Sequence, residues 1–142
     1  MTSLFILIIG TFWEASMDVI ASKRNYERSI WNKLANYCDK KGYHFFGQSY
    51  WNYETAWQNK WKNGDPKQGE KFFMSSTALV TYMDGWHLMK FFWLVHLFSA
   101  TVEYTPMTPY SILDLLIYYT VFGTFHSFFF SILQVDPIKD KS

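Results

Sequence analysis

An all-α integral membrane protein with three transmembrane helices is the fold class this sequence predicts, and three observations predict it. Apolar runs cover residues 4–21, 72–102 and 111–133, each of a length that crosses a bilayer core as helix. Hydrophobic residues make up 49% of the 142-residue chain and aromatics 22%, more than a water-soluble core of this size uses. The runs are also interrupted by a few ionisable residues, and charges inside a membrane mark sites or helix pairings. A mean hydropathy of −0.11 does not conflict, because the polar segment 22–71 dilutes the average.

The first helix is expected over residues 3–21. No Lys or Arg precedes it, and Glu14 and Asp18 break what would be the apolar stretch of an export signal, so it reads as a retained span leaving the membrane at Lys23-Arg24. Residues 22–71 form a long, aromatic-rich loop. Within it Tyr50, Tyr53, Trp57 and Trp61 recur at helical spacing, with Asn52, Gln58, Asn59 and Lys62 off the stripe, the pattern of an amphipathic helix in the headgroup region. A weaker candidate runs from Tyr26 to Cys38, with Ile30, Trp31, Leu34 and Cys38 on one side. Packing of these aromatics on the helix bundle is the open alternative to membrane contact.

The second helix is expected over residues 72–102, longer than a bilayer requires, so that it tilts or protrudes at its Phe72 end and keeps Leu79 to Ala100 in the membrane. Pro106 and Pro109 end that stretch, and the third helix follows over residues 111–133. Asp136-Pro137 closes it before a charged tail, residues 134–142. The whole chain reads as a single membrane domain.

Charge sets orientation and excludes one class of partner. Of 13 Lys and Arg, ten lie between Lys23 and Lys71 and two in the tail at Lys139 and Lys141, with none from Glu103 to Tyr110. The positive-inside rule then puts the amino terminus outside and the long loop and tail on the cytoplasmic side of an inner membrane. A net charge of +1 supplies no basic field for nucleic acid. The lone Cys38 forms no internal disulfide, and no Cys-x-x-Cys pair exists for zinc or redox exchange. Walker, Gly-x-Ser-x-Gly, His-Glu-x-x-His and dinucleotide patterns are all missing.

Counting depth at about 1.5 Å per residue brings five polar residues into one slab of the cytoplasmic half. Asp18 lies near the boundary and Glu14 one turn deeper on the same face. Asp84 and His87 share a face of the second helix, and His126 of the third reaches a similar depth. Carboxylate and imidazole groups of this kind suit zinc, iron or manganese, with Asp18, Asp84, His87 and His126 as ligands and Glu14 as general base beside a metal-bound water. The Asp-x-x-His spacing is like half of the Glu-x-x-His pairing of di-iron bundles. Such a centre could be hydrolytic or redox-active.

Two other readings stay open for the same residues. They can hydrogen-bond one another and lock the helices together, with Lys90 neutralising Glu14 or Asp84, in a non-enzymatic subunit of a membrane complex. They can also relay protons or ions through a small channel. His96, Ser99 and Glu103 form a separate outer stripe expected to meet Asp114. Three helices leave much surface uncovered, so the expected partners are the lipid bilayer and either further copies of the chain or a larger complex.

Trp57-Gln-Asn-Lys-Trp61-Lys, Gly69-Glu-Lys-Phe, Ser75-Ser76 and Asp84-Gly-Trp-His87 together resemble a pattern of small bacterial integral membrane proteins. Its recurring parts are Trp-x-Asn-Lys-aromatic-Lys and Asp-x-Trp-His. The resemblance implies a membrane location and no reaction.

Overall fold

The computed structural model describes residues 1–135, and every regular element among them is helical. Asp136-Pro137 and the tail lysines lie outside the described residues. Three long helices, α1 (Thr2–Ile20), α5 (Gly85–Val102) and α6 (Ser111–Leu133), form the body, and the shorter α2 (Lys23–Glu27), α3 (Ile30–Lys40) and α4 (Gln48–Trp51) cover one end of it. Of these, α1 and α6 are long and apolar enough to cross a membrane.

α1 is the shared partner: both α5 and α6 pack along it, while α5 and α6 scarcely meet. Gly10 lets α5 approach closely, since a β-carbon there would lie 3.2 Å from Cβ of His96. Further along, Trp13 stacks on Phe92 with centroids 4.8 Å apart, so α5 runs antiparallel to α1. On the other side Ser3 bonds Tyr118 and Phe12 meets Phe129 edge-on at 5.5 Å, so α6 runs parallel to α1. The path is therefore up, down and up again.

The second helix is shorter than its apolar run suggests. It starts at Gly85, not Phe72, because Asp84 caps it: the carboxylate accepts the backbone N–H of His87 at 2.9 Å. Upstream, Glu70 accepts the backbone N–H groups of Met74 and Ser76 and the Ser76 hydroxyl, while Ser75 donates to the Lys60 carbonyl at 2.8 Å. These side-chain bonds offer the backbone an alternative to helix. Residues 72–84 accordingly form turns and one short 3-10 helix, Val80–Tyr82, with Met74 at φ 61°.

The amphipathic helix expected through Tyr50, Tyr53, Trp57 and Trp61 is also broken. Asn52 accepts the N–H of Glu54 at 2.9 Å, closing a local turn that separates α4 from the 3-10 helix Ala56–Lys60. Tyr50 and Trp51 are buried, and only the packing alternative describes them. The candidate from Tyr26 to Cys38 is split between α2 and α3 at Ser29, which caps α3 by accepting from Asn32. Trp51 stacks on Trp31 at 4.9 Å and joins Ala15, Val19, Ile20, Ala35 and Met89 in the main core. Gly85 is required for this: a β-carbon there would sit 2.2 Å from Cε3 of Trp51.

Candidate functional site

The polar residues expected to converge fall into two groups. Glu14, Asp18 and His126 form the first, with one ligand atom from each lying within 4.8 Å of the others. Their spacing follows from helix geometry: residues four apart on α1 share a face, and α6 lies against that face. Nε2 of His126 stands 3.1 Å from Oδ2 of Asp18 and 3.5 Å from Oε2 of Glu14. That Glu14 oxygen is buried and has no hydrogen-bond partner among the described residues. Phe122 and Phe130 flank the imidazole one turn to either side, with centroids at 6.2 and 6.1 Å.

Two carboxylates and an imidazole are donors that zinc, iron and manganese accept, and three protein ligands leave coordination positions for water. Without an ion, Nε2 of His126 hydrogen-bonds Asp18 and leaves Oε2 of Glu14 without a hydrogen-bond partner among the described residues, and a buried acceptor in that state costs about 1–3 kcal/mol.

Asp84 and His87 form the second group, separate from the first. Because the helix begins at Gly85, Asp84 sits at a helix end instead of inside a span, which is why depth counted from an apolar run misplaced the pair. Both Asp84 oxygens lie 2.8 Å from Nδ1 of His87. The carboxylate thus holds the Nδ1–H tautomer and leaves Nε2 with its lone pair. The pair lines a cavity of about 260 Å³ bounded by the end of α1, by α4 and by the turn at Ala56. Burial, and then the nearby Asp84 charge, push the Tyr50 hydroxyl above its ordinary range, so this wall of the cavity keeps its proton.

Lys90 pairs with neither Glu14 nor Asp84; its ammonium lies 5.0 Å over the Trp86 ring. The stripe expected from His96 to Asp114 does not form. Nδ1 of His96 donates to the Phe92 carbonyl at 2.7 Å. Asp114 is bound instead by the connection between α5 and α6, accepting from Tyr104 Oη at 2.7 Å and from the N–H groups of Met107 and Thr108 at 2.9 Å. Composition alone could have pointed there, since Tyr104 and Thr108 flank Pro106 ten and six residues before the acid.

No protein family, curated protein or solved structure matches this chain. Its function must be argued from its own residues.

Proposed function

We propose that this is a membrane protein that binds a divalent transition metal between α1 and α6, through Asp18, His126 and Glu14. The observation that carries the reading is the meeting of three donor groups from two helices, one of them with a buried oxygen that has no hydrogen-bond partner among the described residues. Glu14 then serves as a ligand in place of the general base expected for it, and Asp84 and His87 are left out of the set. Zinc, iron and manganese all suit the donors. A metal held by these three side chains would polarise a water or a carbonyl oxygen, which is the chemistry of hydrolysis, and redox chemistry would require iron or manganese there in place of zinc.

The membrane part of the proposal extends to a third span. α5 has 18 residues, about 27 Å of helix, against a core of about 30 Å. Its outer residues Phe91, Val95, Phe98 and Val102 are exposed at helical spacing, as are Ile112, Leu116 and Tyr119 on α6, and Phe128 and Ile132 are exposed further along α6. Apolar surface of this extent fits lipid, or a second copy within it. The lysine-rich segment 23–71 then faces the cytoplasm, and the amino terminus faces out.

Equilibrium dialysis of detergent-purified protein against zinc, manganese(II) and anaerobic iron(II) tests the site. One ion per chain is expected, lost in an Asp18→Asn, His126→Gln double variant and kept in His87→Gln. Failure to bind any of the three metals overturns the metal reading. Proton flux in liposomes abolished by Glu14→Gln, with no metal bound, would instead favour a relay through the same residues.

A further inference from the structure

The cavity at the end of α1 has a composition that selects its ligand. Five of its ten lining residues are Tyr50, Trp51, Tyr53, Trp57 and Trp86, and neither Lys nor Arg is among the ten. The one charged group in the lining is Asp84, whose side chain is 6% exposed. Several wall donors are committed elsewhere. Tyr50 Oη donates to the Thr81 carbonyl at 3.2 Å, Tyr53 Oη to the Glu54 carboxylate at 2.5 Å, and Trp57 Nε1 to the Glu54 carbonyl at 3.0 Å. Trp51 Nε1 has no hydrogen-bond partner among the described residues but is itself buried, so what the walls present is π faces, a carboxylate and, on the neutral imidazole, the Nε2 lone pair that Asp84 leaves on His87.

An anion gains little here. The positive end of the α5 dipole is already met by Asp84, and no cationic side chain lines the space. A cation gains from the aromatic quadrupoles and from the carboxylate together. The protein makes such a contact itself at this wall, with the Lys90 ammonium 5.0 Å from the Trp86 ring centroid. At about 260 Å³ the space lies below the roughly 300–1,000 Å³ of pockets for drug-sized molecules, so it fits a small group.

We propose that this cavity binds a primary alkylammonium group, which donates an N–H to Nε2 of His87 and sets its charge against Asp84 and the tryptophan faces. Ile20 and Ala21 line the cavity where α1 ends, so an ethanolamine lipid headgroup and a soluble amine both present the right chemistry. The site is independent of the metal centre. Loss of one leaves the other intact.

The test uses the full chain in phosphatidylglycerol nanodiscs, with ethanolamine as probe and saturation-transfer NMR as readout. Saturable ethanolamine binding is expected, with ethylene glycol, its neutral counterpart, binding at least tenfold more weakly. Asp84→Asn keeps a good helix cap while removing the charge, and it should lower affinity at least tenfold. Trp57→Leu, at a residue 43% exposed and outside the buried core, should lower it severalfold with helicity and metal content unchanged. Nanodiscs containing phosphatidylethanolamine separate the sources: ethanolamine binding abolished there identifies the lipid headgroup, and binding retained identifies a soluble amine. No saturable binding, equal binding of ethylene glycol, or full affinity in both variants overturns the proposal.

Discussion

Among the described residues, two aspartate–histidine pairs have the same chemistry and opposite construction. Asp84 and His87 are three residues apart, joined by two contacts of 2.8 Å at the start of α5, and the carboxylate is nearly sealed from solvent. Asp18 and His126 are 108 residues apart, meet at a single 3.1 Å contact between α1 and α6, and the Asp18 side chain is 55% exposed. One pair is made by a helix beginning and is committed to it. The other is made by two helices touching, and its acceptors are still open to a ligand. Identical residue types therefore carry different roles according to what places them.

The comparison predicts that stability responds to the first region and metal binding to the second. Gly85→Val should have the largest effect, about 3 kcal/mol or more, because its β-carbon falls 2.2 Å from the Trp51 ring. Denaturant unfolding in detergent measures it, and near-ultraviolet dichroism should show the Trp31–Trp51 stack perturbed. Unchanged stability would mean that Trp51 does not pack there. Asp84→Ala removes the cap and the partner of His87 and should cost about 1–2 kcal/mol, against a few tenths for Asp84→Asn. Equal losses in the two variants would show that the charge, and not the cap, is what α5 needs.

At the second pair, Asp18→Asn should change the stability of metal-free protein by less than about 1 kcal/mol, as an exposed ion pair does. The same substitution should weaken metal binding at least tenfold in dialysis. A large loss of stability without metal would reverse the contrast and make this pair a structural lock.

The smallest effect belongs to another locally built carboxylate. The Ser76 hydroxyl, aided by the N–H groups of Ser76 and Met74, holds Glu70 below the usual carboxylate range. Its folded-state pKa is thus lower than its unfolded one, so its contribution is full above about pH 4.3 and is lost as pH falls through the depressed value. Protection of the Met74 and Ser76 amides, measured as exchange relative to the intrinsic rate at each pH, should persist at about pH 4.3 and fall on further acidification. Glu70→Gln should abolish that step.

How much was legible in the sequence follows the same division. The first helix, expected over residues 3–21, spans Thr2–Ile20, and the third spans Ser111–Leu133 as expected, because a long apolar run between polar ends determines both. The start of the second helix was obscured by that same rule. Apolar residues continue back to Phe72, and only the capping chemistry of Asp84-Gly85 and the competing hydroxyls of Ser75 and Ser76 stop the helix short. Depth counting brought Glu14, Asp18 and His126 together because α1 and α6 run parallel and touch along their length. It failed for Asp84 and His87 because it assumed a helix already under way. The close approach of Trp51 to Gly85 joins residues 34 positions apart, and no local pattern announces it.

The buried residues of α6 are Asp114 and Leu133, near its two ends. The first is gripped by the 103–110 connection; the second lies beside the bridge from Gln134 to Ser29 and the bond from Val135 to the Arg28 carbonyl. α6 is thus tied at both ends as well as packed along α1. The position of the His126 imidazole depends on that packing and on the two ties together, so shortening the 103–110 strap would be felt at the imidazole through the helix that carries it.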